Sequence, residues 1–296
     1  MATFALQGVI AATPTPVHAD FSPDTARLAR HCRALLDGGC DAINLLGTTG
    51  EANSFSTAQR LGVMKAMADE GLPLDRFMVG TGVCALAESV LLTQAAADLG
   101  YAGALVLPPF YYPDIGGDAL VQYVDELLAR VARPRLALYL YHIPQNTAVP
   151  WPLEAVVALQ RKHPGNLAGL KDSSGDMAYA RAMASEVTGF DVFPSSEATL
   201  AGAKAAGFAG CISATTNLTA ADSQVAWRAQ GTAEGAKAGA RATAQRNLLA
   251  KQALVASVKA ALAMRYDDAE WMRTCPPLTP RSPQQAQALA HELAAA

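Results

Sequence analysis

The feature that most constrains this chain is an eightfold alternation of short apolar runs with helical segments across residues 8–218. Apolar runs that stop abruptly at Gly, Pro, Thr or Ser have the length and composition of buried strands. They fall at residues 8–17, 41–46, 77–83, 103–107, 135–141, 167–171, 190–193 and 210–214. Helical segments separate them. Ser22 as N-cap with Pro23 at the first helical position opens one that runs to Gly38-Gly39. Others are expected at about 56–71, 86–99, 118–131, from Pro152 to near His163, at 176–187, and as a short helix ending at Gly207. Such alternation calls for a parallel sheet wrapped in helices. Eight units in this length predict an α/β fold, a closed (β/α)8 TIM barrel. The rival is a doubly wound open sheet, which usually carries a glycine fingerprint after its first strand. Here that turn reads TPTPV. From residue 219 onward the strand signal vanishes and Ala-rich helix formers take over, broken at Pro276-Pro277 and Pro280. Trp227, Leu248, Leu249, Leu254, Val258 and Leu262 give this stretch an apolar face. The expected organisation is a barrel over 1–218 and two or three appended helices over 219–296, in one domain.

Several function classes are disfavoured by composition. A net charge of −3 without a basic cluster gives no footprint for nucleic acid. No apolar run has the length of a membrane span. No positive residue precedes Arg27 and Pro14 soon interrupts the first apolar run, so a signal peptide is not expected and the predicted location is cytoplasmic. Cys32, Cys40, Cys84, Cys211 and Cys275 are odd in number and scattered, which reads as reduced thiols. The histidines show no metal-ligand spacing, so no metal site is expected.

Candidate chemistry begins at LAGLKDSSGD, residues 167–176, where an apolar run ends in Lys171 and turn residues follow. Desolvation at such a strand end disfavours the ammonium form. A neutral amine in a partly apolar pocket is what a carbonyl substrate needs to form a Schiff base. The other six lysines (65, 162, 204, 237, 251 and 259) fall in helical or helix-end segments. In a barrel of this kind the active site lies at the carboxyl ends of the strands. That rule gathers Gly47, Thr48 and Thr49 after strand two, Tyr111 after strand four and Tyr141 at the end of strand five. It adds Ser195, Ser196 and Glu197 after strand seven and Ile212 on strand eight. A lysine amine, a phenol and hydroxyls at one rim form a coherent set for carbonyl chemistry.

GTTGE (47–51), PFYYP (109–113), YHIP (141–144), GLKDSSGD (169–176) and GCISATTN (210–217) resemble the dihydrodipicolinate synthase / N-acetylneuraminate lyase family. The motifs stand in the family's order through the barrel. The resemblance implies a homotetramer built as a dimer of dimers, and a class I mechanism with no metal or organic cofactor. It implies that Lys171 forms a Schiff base with pyruvate or another 2-oxo acid, and that Tyr141 shuttles protons. It further implies that Thr48 links Tyr141 to Tyr111 of a neighbouring subunit. Thr49 would hold the keto acid's carboxylate, and Ile212 would offer its carbonyl near the lysine.

Two positions depart from the family pattern. The arginine that clamps the aldehyde's carboxylate in dihydrodipicolinate synthases is here Asn146, preceded by Gln145, and an amide cannot replace a charged fork. The acidic pair that neuraminate lyases use for sugar hydroxyls is here Glu197-Ala198. A neutral rim of Asn146, Ser195 and Ser196, with Glu197, suits a polyhydroxy or neutral aldehyde. The expected activity is therefore a lyase or aldolase acting on a 2-keto-3-deoxy sugar acid or related 4-hydroxy-2-oxo acid, with pyruvate and an aldehyde as small-molecule partners. A 4-hydroxy-tetrahydrodipicolinate synthase, a 2-keto-3-deoxy acid dehydratase and a non-catalytic 2-oxo acid sensor remain as alternatives.

Overall fold

The computed structural model describes residues 6–133, 136–251 and 253–296. Among these residues eight strands form one parallel sheet: β1 (Gly8–Ala12), β2 (Ala42–Leu45), β3 (Phe77–Gly80), β4 (Gly103–Val106), β5 (Leu138–His142), β6 (Leu167–Asp172), β7 (Asp191–Pro194) and β8 (Gly210–Ser213). Seven of them are buried at every residue, and β7 at all but Asp191, which explains why they read as continuous apolar runs rather than as alternating patterns. The strand order is β7-β6-β5-β4-β3-β2-β1-β8. The seam between β7 and β8 is drawn together just before β8, where the Ala209 N–H donates to the Val192 carbonyl at 3.0 Å. Next to it, a Cβ on Gly210 would lie 2.0 Å from the Gly8 carbonyl oxygen, so the chain there tolerates only glycine.

Helices α1 (Thr25–Asp37), α2 (Thr57–Asp69), α3 (Leu86–Leu99), α4 (Gly117–Val131), α5 (Pro144–Thr147), α6 (Leu153–Lys162), α7 (Met177–Glu186) and α8 (Thr216–Arg228) connect the strands or follow the last of them. Leu28, Leu92, Val124, Val156 and Met183 fill the layer between sheet and helices, and Ile10, Met78, Leu105, Tyr139, Phe193 and Ile212 fill the barrel interior. Each is fully buried or nearly so, worth about 1.5–3 kcal/mol per side chain. The fold is the (β/α)8 barrel. Three more helices, α9 (Ala233–Ala250), α10 (Leu254–Tyr266) and α11 (Pro283–Ala295), are added at the carboxyl end. No helix among the described residues is long and apolar enough to cross a membrane.

Local differences from the sequence reading have physical causes. β1 stops at Ala12, because Pro14 and Pro16 have no N–H to give a ladder, while Thr15 Oγ1 donates to the Gly50 carbonyl at 2.8 Å. Asp24, not Ser22, caps α1: its carboxylate accepts from the Arg27 N–H, and the Ser22 hydroxyl is taken by Asp20 at 2.6 Å. The fifth strand begins at Leu138, and Arg135 lies outside the described residues. Two 3-10 segments, Glu197–Gly202 and Lys204–Ala206, stand where one short helix was expected after β7. The eighth barrel helix, α8, runs straight through positions 218 and 219.

Candidate active site

Strand pairing sets the central relationship. β5 and β6 are in a register that makes Tyr141 and Lys171 lateral neighbours, and strand alternation turns both toward the barrel mouth. Lys171 is 3% exposed, and its Nζ lies 4.4 Å from the centre of the Tyr141 ring. The Tyr141 hydroxyl is 3.3 Å from Thr48 Oγ1. Burial alone would raise the Tyr141 phenol, but the Lys171 ammonium and hydrogen bonds with Thr48, Ser173 and Lys171 outweigh it and hold the phenol below its ordinary value. From behind, the Trp151 indole N–H donates to the Tyr141 carbonyl at 3.2 Å. His142 is stacked on Tyr179 at 4.1 Å and takes the Trp151 backbone N–H on Nδ1, and burial lowers it to about 4. At neutral pH His142 is an uncharged brace.

The loop after β2 delivers the threonines in a strained conformation. Leu46 and Glu51 adopt φ values of 50° and 54°, in the left-handed region that branched or bulky side chains avoid. Two contacts hold the loop there. A Cβ on Gly80 would meet the Leu46 carbonyl oxygen at 2.0 Å, so the bare backbone of β3 makes the close approach possible. Glu51 forms an ion pair with Lys259 of α10 in which neither side chain has any solvent exposure, and its other oxygen accepts the Cys275 N–H at 2.7 Å. Lys259 completes its shell by donating to the Arg273 carbonyl at 2.8 Å.

A cavity of about 360 Å³ opens over Lys171. Thr48, Thr49, Tyr141, Asn146, Ser195 and Ile212 line it together with Lys171, so the structure brings these candidates to one place. Gly47 lies in a narrower pocket behind Thr48, beside Gly80 and Tyr141. Tyr111 is 73% exposed and packs edge-on against Tyr112 at 5.2 Å, so within one chain it does not join Thr48. Two expectations for the rim are corrected. Ser196 does not line the cavity. Glu197 is fully buried behind the wall, where its Oε1 accepts from Thr215, Thr216 and Thr219 at 2.5, 3.3 and 3.2 Å and Oε2 faces Arg246 at 3.3 Å. Hydroxyls of the chain itself occupy the carboxylate that was expected to meet substrate hydroxyls.

Sequence reasoning missed three contributors. Ser173, two residues beyond Lys171, lines the cavity and hydrogen-bonds Tyr141; its place at the carboxyl end of β6 was the available signal. Arg246 reaches the wall from α9, and the first turn of α10 (Leu254, Val255, Ala256) forms another part of it. Their surroundings in the sequence are Ala-rich and carry no motif. The rim expected to be neutral therefore holds a guanidinium.

A buried lysine and a tyrosine thus stand side by side at the carboxyl ends of the strands of a (β/α)8 barrel, an arrangement suited to carbonyl chemistry of the kind lyases and aldolases perform. The dihydrodipicolinate synthetase family model matches residues 5–296. An uncharacterized DapA-like lyase from Chloroflexus aurantiacus is 34% identical, over 96% of this chain and 94% of the relative. A 4-hydroxy-tetrahydrodipicolinate synthase from Saccharophagus degradans is 34% identical over 72% of each chain. The pyruvate-complexed, chloride-inhibited dihydrodipicolinate synthase from Acinetobacter baumannii superposes with a TM-score of 0.85 at 27% identity, over 98% of both chains. The chain belongs to the dihydrodipicolinate synthetase family, and it is a lyase of the aldolase type.

Proposed function

We propose that Lys171 forms a Schiff base with pyruvate, and that the enzyme cleaves or forms a 2-keto-3-deoxy sugar acid or related 4-hydroxy-2-oxo acid. The observation that carries this reading is the buried Lys171 amine set beside Tyr141, whose hydroxyl is within reach of Thr48. The pyruvate bound to the Acinetobacter baumannii relative supports the choice of 2-oxo acid. Uncharged Nζ adds to the C2 carbonyl carbon, the carbonyl oxygen takes one proton from the amine and one from the Tyr141 hydroxyl and leaves as water, and the resulting imine nitrogen keeps the amine's other proton and the positive charge. That iminium is an electron sink. In cleavage, the Tyr141 oxygen takes the proton of the 4-hydroxyl as the C3–C4 bond breaks. The bonding pair moves toward the iminium to give an enamine, and the aldehyde departs. Protonation of the enamine at C3 and hydrolysis release pyruvate and restore the amine.

Thr49, with its hydroxyl and backbone N–H, binds the keto acid's carboxylate, and the Ile212 carbonyl lies near the new imine. Thr48 relays protons between Tyr141 and Tyr111 of a neighbouring copy, which the high exposure of Tyr111 supports. Family membership supports a homotetramer built as a dimer of dimers, and the proposed location is cytoplasmic. Incubation with pyruvate and borohydride followed by peptide mass spectrometry should find a reduced pyruvyl adduct on Lys171 and none in Lys171→Ala. An adduct that persists in the variant would overturn the assignment. The similarity to the Saccharophagus degradans synthase favours a second reading, in which aspartate semialdehyde is the aldehyde. Turnover of that substrate, with none on 2-keto-3-deoxy acids, would select it.

A further inference from the structure

Exposure grades the cavity from its floor to its mouth. Lys171 and Tyr141 lie at the floor, 3% and 4% exposed, and Leu278 stands at the mouth, 39% exposed. A chain built outward from the imine carbon passes the wall made by the first turn of α10 and the segment after Cys275. That wall is apolar: Leu254, Val255 and Leu278 form it, and Ile143 after β5 also lines the cavity. Leu278 is fixed there, since its N–H donates to the Cys275 carbonyl and its own carbonyl accepts from Thr274 Oγ1, both at 2.9 Å. Two polar groups of the cavity are engaged by the chain itself. Gln145 Nε2 donates to the Ser173 carbonyl at 2.7 Å, and Arg246 is matched by Glu197 at 3.3 Å. No carboxylate lines the cavity among the described residues. Hydroxyls turned to such a wall would lose water without gaining partners, whereas methylene groups would gain by covering it.

We propose that the aldehyde half is an uncharged aliphatic chain, so that the enzyme makes or cleaves a 4-hydroxy-2-oxo acid whose carbons beyond C4 are hydrocarbon. This rests on the Schiff-base reading above and narrows its substrate class. The charges of the site are already balanced: the pyruvate carboxylate answers the iminium, and Glu197 answers Arg246 within the wall. No charge is left over for an ionised tail. Tyr141, at the floor, is the one aromatic ring that lines the cavity among the described residues, so the mouth offers an alkyl surface and no platform for stacking a ring. The bond changes are those given above, with an alkanal as the aldehyde that departs or adds.

The test follows condensation of pyruvate with propanal, butanal and pentanal, whose carbonyl carbons are alike in reactivity, and with succinic semialdehyde, which has the length of butanal and ends in a carboxylate. The readouts are the rise in kcat/KM per added methylene and the ratio for butanal over succinic semialdehyde, in wild type, Leu278→Ser, Leu278→Met and Val255→Thr. In wild type kcat/KM should rise roughly fourfold per methylene, the factor for burying a CH2 group, and butanal should be preferred. Leu278→Ser and Val255→Thr should each flatten the rise, and Leu278→Met, which keeps the apolar volume, should retain it. No turnover of the alkanals, a flat series, a preference for succinic semialdehyde, or a rise untouched by both Leu278→Ser and Val255→Thr would overturn the proposal. Borohydride trapping of pyruvate is run on every variant. Trapping at Lys171 with a flat series sinks the hydrocarbon assignment alone, whereas no trapping in wild type sinks the Schiff-base reading beneath it.

Discussion

Glu51 and Lys259 form an ion pair from which water is wholly excluded, joining the loop that carries Thr48 and Thr49 to helix α10. Burying two charges is costly, and the arrangement is stable because the remaining donor and acceptor sites are used, by the Cys275 N–H and the Arg273 carbonyl. Either partner alone would be a stranded charge. Lys259→Met and Glu51→Leu should each lower unfolding stability by about 3–5 kcal/mol, while the double variant should recover most of the loss. Denaturant melts of the three variants measure it, and equal additive losses would contradict the coupling.

In the proposed mechanism Tyr141 carries the proton. Removing its hydroxyl in Tyr141→Phe should lower kcat by roughly 100- to 10,000-fold. Its position below the ordinary phenol value of 10.0, where burial is outweighed by Lys171, Thr48 and Ser173, sets a second expectation. The alkaline inflection of kcat should lie below that value in wild type. It should move upward in Thr48→Val, which deletes one of the hydrogen bonds that favour the phenolate. Steady-state rates across alkaline pH decide this.

Close approach at β3 can be tested by adding a single carbon. Gly80→Ala places a methyl group 2.0 Å from the Leu46 carbonyl oxygen, so the threonine loop must shift. A stability loss of about 1–3 kcal/mol is expected, together with a fall in kcat. Gly62→Ala is the contrast, since nothing lies within 4 Å of the added carbon on α2. There the protein should gain about 0.5–1 kcal/mol from helix propensity alone. Thermal melts and kinetics on both variants separate crowding from a general effect of glycine.

Asp191, at the amino end of β7 far from the chemistry, is raised by burial from 3.8 to about 6. A carboxyl that is more acidic unfolded than folded contributes its full stability below the unfolded value and loses it as pH rises through the folded one. Asp191→Asn should therefore differ little from wild type below pH 3.8 and become the more stable protein as pH passes 6. After allowance for solvent at this partly exposed site, the gain is about 1–2 kcal/mol. Melts at matched ionic strength across that window check the sign.

How far the site could be read from sequence follows from where its information is stored. Lys171 was legible because an apolar strand ending in lysine breaks a local rule, and Tyr141 because barrel topology places its strand next door. Glu197 was misread because only the folded chain supplies Thr215, Thr216 and Thr219 to occupy its carboxylate. Arg246 was invisible because one arginine in an Ala-rich helix looks solvent-facing until α9 docks against the end of β8. The strands read clearly because burial on both faces leaves continuous apolar runs. Cap residues such as Asp24 read poorly because Ser22 offered an equally good local signal.

Arg246 on α9 and the first turn of α10 build part of the cavity wall, and Lys259 braces the loop on its opposite side. The barrel strands are all made well before these residues leave the ribosome, yet the catalytic mouth has only part of its wall until they arrive. A chain made from its amino end thus carries Lys171 before it has the residues that complete the wall around it.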